Sequence, residues 1–386
     1  MIPLAVPNLT GNEKKYLDNC IDTTFVSSVG EYVNRFEDMV AKATGSKYAV
    51  ATSSGTTGLH VALTAAGVKR EDLVILPSFT FIASANAIKH CGADPWLMDI
   101  SQVDWCLDPA LVEEEIEKSC KMTADGLIHK DTGRRVAALM PVYTLGNIPD
   151  MDRFRSIADR YGIPLIVDAA CAIGATYRNM PFGGLADLSV LSFNGNKTIT
   201  CGGGGAVVGN NEKLLDHVRH LTTTARVWPD YDFDEVGYNY RMTNIQAAVG
   251  CAQMERLEEF VESKRNTRNY YKTNLQDLAS QGISFFPATQ GSSCWFSGIV
   301  MGDLANHEDI KAICTKLKDV GAEARSFWKP VHLQEPYQDS PRSNMENSDR
   351  LWQRIITLPC STCITRNELE LVVKTVTETI IHCIRM

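Results

Sequence analysis

Short apolar runs alternate with amphipathic segments from about Val33 to Val208, and this alternation constrains the fold more than any other feature. The predicted strands are Lys47–Thr52, Leu73–Leu76, Val136–Val142, Leu165–Val167, Leu188–Phe193 and Ala206–Val208. The predicted helices between them are Gly55–Ala66, Phe79–Cys91, Pro109–Cys120 and Asp150–Tyr161. Strands that alternate with helices in this way form a mostly parallel sheet with helices on both faces. The sequence therefore predicts an α/β fold.

The pattern changes after a long helical stretch that we predict over Thr243–Leu278. The remaining segments are predicted as a strand at Cys294–Met301, a helix at His307–Val320, a strand at Glu323–Phe327 and a helix at Arg366–Ile384. This succession is typical of a smaller α+β domain. We therefore assign residues 1–255, with the N-terminal segment, to a large domain and residues 256–386 to a small C-terminal domain.

Composition excludes several classes of function. The net charge of −8 gives no support for binding to nucleic acid or to an anionic membrane, so any anionic ligand must be held by local donors. The first residues lack the basic start of a signal peptide, and no apolar run reaches the roughly 18 residues of a membrane span. We expect a cytoplasmic protein with reduced cysteines and no metal. A zinc or redox role for Cys360 and Cys363 is the less favoured alternative, because this C-x-x-C has no second pair.

Two motifs follow predicted strands in the first half of the chain. Thr52–Gly58 joins a strand to a helix, and its small residues let backbone amides and the helix N-terminus approach a phosphate. An ordinary N-capped helix start is the alternative. Asp168 ends a buried strand, where ligands of open α/β sheets bind, and a buried carboxylate needs a cation such as a protonated pyridine nitrogen. The alternative is a helix-capping aspartate.

Two further motifs lie later in the chain. Lys197 ends the segment Ser192–Lys197 after another buried strand, and Gly202–Gly205 follows it. A lysine there could form a Schiff base and move protons, although a solvated lysine is the alternative. In Gly237–Asn244, Asn239 and Arg241 alternate on an extended segment that suits an interface or an anion site, or simply a structural loop.

The chain resembles the DegT/StrS family of nucleotide-sugar aminotransferases, which are fold-type I enzymes dependent on pyridoxal 5′-phosphate (PLP). The resemblance implies a large domain with a mostly parallel mixed sheet between helices, a smaller α+β domain, and PLP as cofactor. It also implies a nucleotide sugar and glutamate as substrates. It is carried by six motifs in family order: Ser54-Gly55-Thr56, Pro77-Ser78-Phe79-Thr80-Phe81, Asp168-Ala169-Ala170, Ser192–Lys197, Gly202–Gly205 and Gly237–Met242.

The family implies roles for the residues around the cofactor ring. Lys197 would attach the cofactor covalently and then shuttle a proton, Asp168 would pair with the pyridine nitrogen, and Phe81 would stack on the ring. Relatives usually carry His or Gln at the position of Cys171, whose thiol forms weaker hydrogen bonds. Because Asp168 and Lys197 are both present, we expect catalysis to be retained.

Other roles concern the phosphate, the partner subunit and the substrate. Gly55, Thr56 and Ser192 would hold the phosphate, and Asn239 from the partner of a homodimer would complete that site. Arg241 would lie near the active site. The substrate contacts implied by the resemblance are Arg241, His332 and Tyr143.

The predicted reaction is transfer of an amino group from glutamate to the C4 ketone of a nucleotide-linked 4-keto-6-deoxy-sugar, for surface glycan synthesis. A polar insertion at Lys121–Arg135 resembles a legionaminic-acid subgroup and favours UDP- or GDP-4-keto-6-deoxy-N-acetylglucosamine. Alternatives are transfer at C3, a PLP-dependent sugar dehydratase, or a non-catalytic PLP-fold regulator. The dehydratases carry histidine in place of the lysine, and a regulator predicts loss of Lys197 or Asp168.

Overall fold

The computed structural model of the protein describes residues 1–227, 229–302 and 305–384. The helices are α1 Glu13–Asp22, α2 Glu31–Thr44, α3 Gly55–Ala65, α4 Ala83–His90, α5 Pro109–Ser119, α6 Met151–Tyr161, α7 Glu212–Thr222, α8 Asn244–Met254, α9 Leu257–Asn274, α10 His307–Asp319, α11 Glu346–Trp352 and α12 Arg366–Ile384. The strands are β1 Tyr48–Thr52, β2 Leu73–Pro77, β3 Asp94–Met98, β4 Cys120–Thr123, β5 Gly126–His129, β6 Val136–Leu139, β7 Ile166–Asp168, β8 Thr176–Tyr177, β9 Met180–Pro181, β10 Leu188–Ser192, β11 Gly205–Gly209, β12 Arg226–Val227, β13 Asp232–Phe233, β14 Ser284–Phe285, β15 Ser297–Val300 and β16 Ile355–Leu358.

The large sheet is built from two groups of strands in the orders β3-β2-β6 and β7-β10-β11-β1. Parallel bridges from Leu139 to Leu165 and from Val142 to Asp168 connect β6 with β7. The β3–β2, β2–β6 and β7–β10 pairs are parallel, whereas β11 runs antiparallel to both β10 and β1. The mostly parallel mixed sheet predicted from the sequence is therefore confirmed.

Alternate side chains of these strands enter two cores, one on each face of the sheet. In β2, Leu73 and Ile75 join the core that contains α2 and α8, whereas Val74 and Leu76 join the core beneath α3 and α7. Burial on both faces explains why these strands read as continuous apolar runs rather than as alternating ones. A third core, which includes Ile299 of β15, fills the small domain.

The structure corrects three predictions about secondary structure. The strand β3 was missed because Asp94 and Pro95 resemble a loop, yet β3 is the first strand of its group and proline is tolerated on an edge strand. The predicted helix Thr243–Leu278 is two helices, because Arg256 leaves helical geometry (φ −114°, ψ 14°) between α8 and α9. The predicted strand Glu323–Phe327 contributes one isolated bridge, from Arg325 to Thr357.

The break at Arg256 lies at the predicted boundary between residues 1–255 and 256–386, but several contacts join residues across that boundary. Ile2 donates a backbone hydrogen bond to Gly321 (2.7 Å) and packs in the core of the small domain. Leu97 of β3, in turn, pairs with Arg342. Residues on either side of the predicted boundary therefore contact each other, and Ile2 packs with residues that were assigned to the small domain.

The insertion at Lys121–Arg135 forms the hairpin β4–β5, which ends in a bridge from Ile128 to Arg135 beside β6. Within the described residues, no group of three histidine, cysteine or acidic side chains is placed to bind a metal, and no helix has the length and apolarity to cross a membrane.

Candidate active site

Several of the motifs found in the sequence meet at one edge of the large sheet. Gly205 pairs with Thr52 on one side and with Ser192 on the other, so β1 and β10 end side by side, and β7 ends beside β10 at Asp168. A cleft of about 370 Å³ opens there. Residues from both domains line it: Ser54, Gly55, Thr56, Leu59, Thr80, Phe81, Ala83, Val142, Asp168, Ala170, Cys171, Ser192, Asn194, Asn196, Lys197, Gly203, Gly204, Trp295, Phe296, Arg325, Ser326, Phe327, Trp328 and Thr357.

The N-terminus of α3 forms one wall of the cleft. Ser54 caps the helix by accepting a hydrogen bond from the Thr57 amide (3.1 Å), which leaves the first-turn amides of Gly55 and Thr56 facing the cleft region. A Cβ on Gly55 would lie 2.9 Å from the Cβ of Ser192, so only glycine lets these two segments approach. Backbone amides, a helix N-terminus and the hydroxyls of Thr56 and Ser192 together suit a phosphate.

Asp168 lies at the floor of the cleft and is buried. Ser84 donates from its hydroxyl to the carboxylate (2.6 Å), and the Ala170 amide donates to the other oxygen (3.0 Å). Burial raises the pKa of Asp168 above its ordinary value, while these two hydrogen bonds and the charge of Lys197 act to lower it. Because no described cationic side chain forms an ion pair with it, this carboxylate can receive a cationic group of a ligand.

Lys197 stands in the loop after β10, where its amide donates to the carbonyl of Asn194 (3.0 Å). Its Nζ lies 3.3 Å from Cys171 Sγ and 3.8 Å from the ring centroid of Trp295. The Trp295 indole is fixed in turn by donating to the carbonyl of Asn196 (2.8 Å). The lysine amine is thus held between the two domains, over the same cleft that contains the buried carboxylate.

Cys171 is buried beside Lys197 at the position that the sequence singled out as a departure from the family pattern. Burial raises the pKa of this thiol to about 11, although the positive charge of Lys197 opposes the shift. The thiol is therefore neutral at physiological pH and contacts the lysine without forming an ion pair with it.

The chain matches the sequence model of the DegT/DnrJ/EryC1/StrS aminotransferase family over residues 7–377. It belongs to this family. It is 36% identical over 379 residues to GDP-perosamine synthase of Caulobacter vibrioides, covering 96% of each chain, and 33% identical over 378 residues to GDP-perosamine synthase of Escherichia coli O157:H7, covering 98% of each. A Streptococcus pneumoniae protein assigned as a sugar aminotransferase, solved in its PLP form, shares the fold (TM-score 0.88, 22% identity, covering 100% of this chain and 98% of that one).

Members of the DegT/DnrJ/EryC1/StrS family use PLP, and the cleft of this chain fits that cofactor. The amides of Gly55 and Thr56 could donate to its phosphate, and the buried carboxylate of Asp168 could accept from a protonated ring nitrogen. Lys197 lines the same cleft, and its amine would be available for covalent attachment of the cofactor. The protein is accordingly a PLP-dependent sugar aminotransferase with the fold-type I architecture that the resemblance implied.

Phe81 also lines the cleft, with 56% of its surface exposed and its ring centroid 6.3 Å from that of Trp328. An exposed aromatic ring at the mouth of a cleft is available to stack on a planar ligand. Sequence reasoning missed the small-domain rings Trp295 and Trp328, because nothing in the local pattern links them to the strand ends. It also missed Ser84, which lies 84 residues before the aspartate that it contacts.

Two of the predicted substrate contacts, Tyr143 and His332, do not line the cleft. Tyr143 is fully buried against Phe182 (ring centroids 5.5 Å apart) in the core of the sheet. His332 is buried as well, and both of its ring nitrogens are engaged, with Ser78 (2.7 Å) and Asp349 (3.0 Å). Packing fixes the tyrosine, and two hydrogen bonds fix the histidine, so a substrate contact of either side chain stays a prediction.

The segment with Asn239 and Arg241 runs beside the loop at the N-terminus of α3. Arg241 bridges to Thr52, and the Ser53 amide donates to the carbonyl of Tyr240 (2.7 Å). Asn239 is exposed and does not line the cleft. Arg241 Nε is buried, and no described residue accepts a hydrogen bond from it. The segment is therefore close to the predicted phosphate site, while the side chain of Asn239 faces outward.

Proposed function

We propose that the protein transfers an amino group from glutamate to the C4 ketone of a nucleotide-linked 4-keto-6-deoxy-sugar, with a GDP-sugar as the first candidate. The observation that carries this proposal is the near full-length similarity to two GDP-perosamine synthases, whose name refers to a 4-amino-4,6-dideoxy sugar. The chain would supply such a sugar for a surface glycan.

The residues of the cleft support this reaction. When bound, PLP supplies an electron sink for the bonds broken at the amino donor. The carboxylate of Asp168 would hold a proton on the ring nitrogen, and Lys197 would carry the transferred proton as a general acid and base. Phe81 and the rings of Trp295 and Trp328 would cover the reacting groups and exclude water from them.

The proposal includes a homodimer in which Asn239 acts across the interface. Asn239 is exposed on its own subunit, and apolar side chains nearby are exposed too, such as Val236 (85%) and Phe233 (54%). Val29 is also exposed (66%), in a loop that is tied to the start of α8 by the hydrogen bond from the Asn244 amide to Ser27. Exposed apolar surface next to the cleft-forming segment is what a subunit interface would cover.

An acetamido sugar is the second candidate acceptor, on the grounds of the insertion at Lys121–Arg135. That insertion forms a hairpin in which His129 packs on Trp96 (ring centroids 4.8 Å apart), and none of its residues lines the cleft. Since Tyr143 is also buried, the acetamido group has less support than the GDP-linked 4-keto-6-deoxy-sugar.

Turnover with UDP-, GDP- and dTDP-linked 4-keto-6-deoxy-sugars, with and without an acetamido group, tests the choice of acceptor. We expect the GDP-sugar to give the highest kcat/KM. A preference for a UDP-acetamido sugar would contradict the first candidate and favour the second.

Mixing two inactive variants tests the role of the partner. Lys197→Ala and Asn239→Ala damage different subunits of the same site if Asn239 acts across the interface, so hybrid dimers should carry one intact site and regain activity. Hybrids that stay inactive, formed from variants that are each folded and dimeric, would contradict the proposed role of Asn239.

A further inference from the structure

Two polar residues that line the cleft, Arg325 and Thr357, have no role in the proposed reaction. On the small-domain wall, Arg325 and Thr357 are paired directly across two antiparallel segments, with the Thr357 amide donating to the Arg325 carbonyl (2.9 Å) and the Arg325 amide donating in return (3.4 Å). Side chains of directly opposed residues lie on the same face of a sheet, with Cβ atoms about 5 Å apart. Both residues line the cleft that contains Lys197.

The side-chain polar groups of Arg325 and Thr357 have no partner within the described parts of the chain. Thr357 is 1% exposed, and its Oγ1 is buried without a hydrogen bond. Arg325 is exposed to the cleft, and no described residue forms a hydrogen bond or an ion pair with its guanidinium. A buried hydroxyl without a hydrogen-bond partner costs free energy, so a ligand group that bonds to it is favoured. Because a cationic side chain is paired with this hydroxyl, an anionic ligand group fits best. The pair therefore suits an anionic oxygen group of a ligand.

We propose that Arg325 and Thr357 bind a carboxylate of the amino donor. This inference rests on the proposed function, because it assigns a subsite for one of its two substrates. One guanidinium and one neutral hydroxyl match a group with a single negative charge, and the N-terminus of α3 at Gly55 and Thr56 already provides donors for a phosphate. With a net charge of −8 the protein does not attract a dicarboxylic acid by its overall field, so a local cation is needed.

Binding of α-methyl-L-glutamate, which lacks the α-hydrogen that transamination removes, tests the subsite in the PLP-loaded enzyme. The change in cofactor absorbance during titration gives a dissociation constant without turnover. We expect Arg325→Gln to weaken binding about tenfold or more and Thr357→Val to weaken it several-fold, since hydrogen bonds to charged groups are the stronger ones. Arg325→Lys, which keeps the charge but loses the planar fork, should weaken it less than Arg325→Gln.

Two control variants separate the subsite from general effects. Ser297→Ala removes another buried hydroxyl without a partner, on the neighbouring strand β15 and outside the cleft, and Arg70→Gln makes the same charge change on the surface. Both should bind α-methyl-L-glutamate as the unmodified protein does. Conversion of the bound cofactor by glutamate alone, with no sugar present, should slow at subsaturating glutamate in the Arg325→Gln variant and not in the controls.

The KM for the nucleotide sugar tests the alternative that Arg325 and Thr357 bind the diphosphate of that substrate. If Arg325→Gln raises that KM and leaves binding of α-methyl-L-glutamate unchanged, the anion is the diphosphate of the sugar nucleotide and the proposal is wrong. Unchanged binding of both ligands would also overturn it. Failure of the proposed function is distinguishable, because it would show in the product formed by the unmodified protein, whereas the donor half-reaction does not depend on which sugar is the acceptor.

Discussion

The replacement of Asp168 by asparagine should have opposite effects on the protein with and without PLP. The carboxylate is buried and holds two hydrogen bonds, from Ser84 and from the Ala170 amide, but no described cation pairs with it until a ligand binds. Burial raises the pKa of Asp168, which means that the protein disfavours the charged form unless a cation binds beside it. Asparagine retains an acceptor oxygen and removes the buried charge. Asp168→Asn should therefore leave the cofactor-free protein as stable as before, or more stable.

In the PLP-loaded enzyme the same change would remove the carboxylate that we propose as the ion-pair partner of the protonated ring nitrogen. Breaking such a pair costs about 3–5 kcal/mol, which corresponds to roughly 100- to several thousand-fold weaker binding. Thermal unfolding of the two forms, together with a PLP titration, measures both effects. We expect the stabilisation by PLP to be largely lost in Asp168→Asn, and the melting temperature of the cofactor-free protein to stay level or rise.

The pH dependence gives a second check on the same reasoning. Above the raised pKa of folded Asp168, the charge destabilises the cofactor-free fold, so the advantage of Asp168→Asn should be fully present. As pH falls through that pKa toward the ordinary aspartate value of about 3.9, the aspartate becomes protonated and the advantage should disappear. An equal loss of stability with and without PLP would refute this reasoning and support the alternative of a purely structural helix cap.

Three other predictions follow from the same structure. Lys197→Ala should abolish the absorbance of covalently bound PLP and lower transamination by at least about 100-fold, and near-normal turnover would show that another group moves the proton. Because the pKa of Cys171 is raised to about 11, the pH–rate profiles of the unmodified protein and of Cys171→Ser should coincide from pH 6 to 9, and an extra limb seen only with the thiol would contradict this. Burial lowers the pKa of His60 to about 4, so the fold should lose stability as pH falls from about 6.5 toward 4. His60→Gln should flatten the change in melting temperature over that interval, and an unchanged slope would exclude His60 as its cause.

Much of the fold could be predicted because the strands of the large sheet other than β3 are buried on both faces and carry their own apolar runs. What escaped prediction depended on contacts between distant segments. Pro95 reads locally as a loop residue and is tolerated only because β3 lies at the edge of its group of strands. The break at Arg256 lies among good helix formers, and the guanidinium of Arg256 donates a hydrogen bond to the hydroxyl of Thr10, near the N-terminus (2.7 Å). Neither feature has a local sequence signature.

The residues of the candidate site show the same contrast between local sequence signals and contacts of distant segments. That Asp168 and Lys197 line one cleft could be predicted, because strand ends of an α/β sheet meet at one edge, and Asp168 ends β7 whereas Lys197 follows β10. Ser84 and Trp295 could not be assigned from sequence, since their roles exist only where the chain brings them to that carboxylate and that amine. The surroundings of His332 were equally out of reach, because its place in a motif does not show that Ser78 and Asp349 contact its two ring nitrogens.

Transfer of nitrogen from ¹⁵N-labelled glutamate to GDP-4-keto-6-deoxy-sugar, followed by NMR of the product, tests the central claim most directly. The account predicts that the labelled amine is found at C4 and that the label is absent when Lys197→Ala replaces the unmodified protein. A labelled amine at C3, or a deoxygenated sugar with no nitrogen, would contradict it.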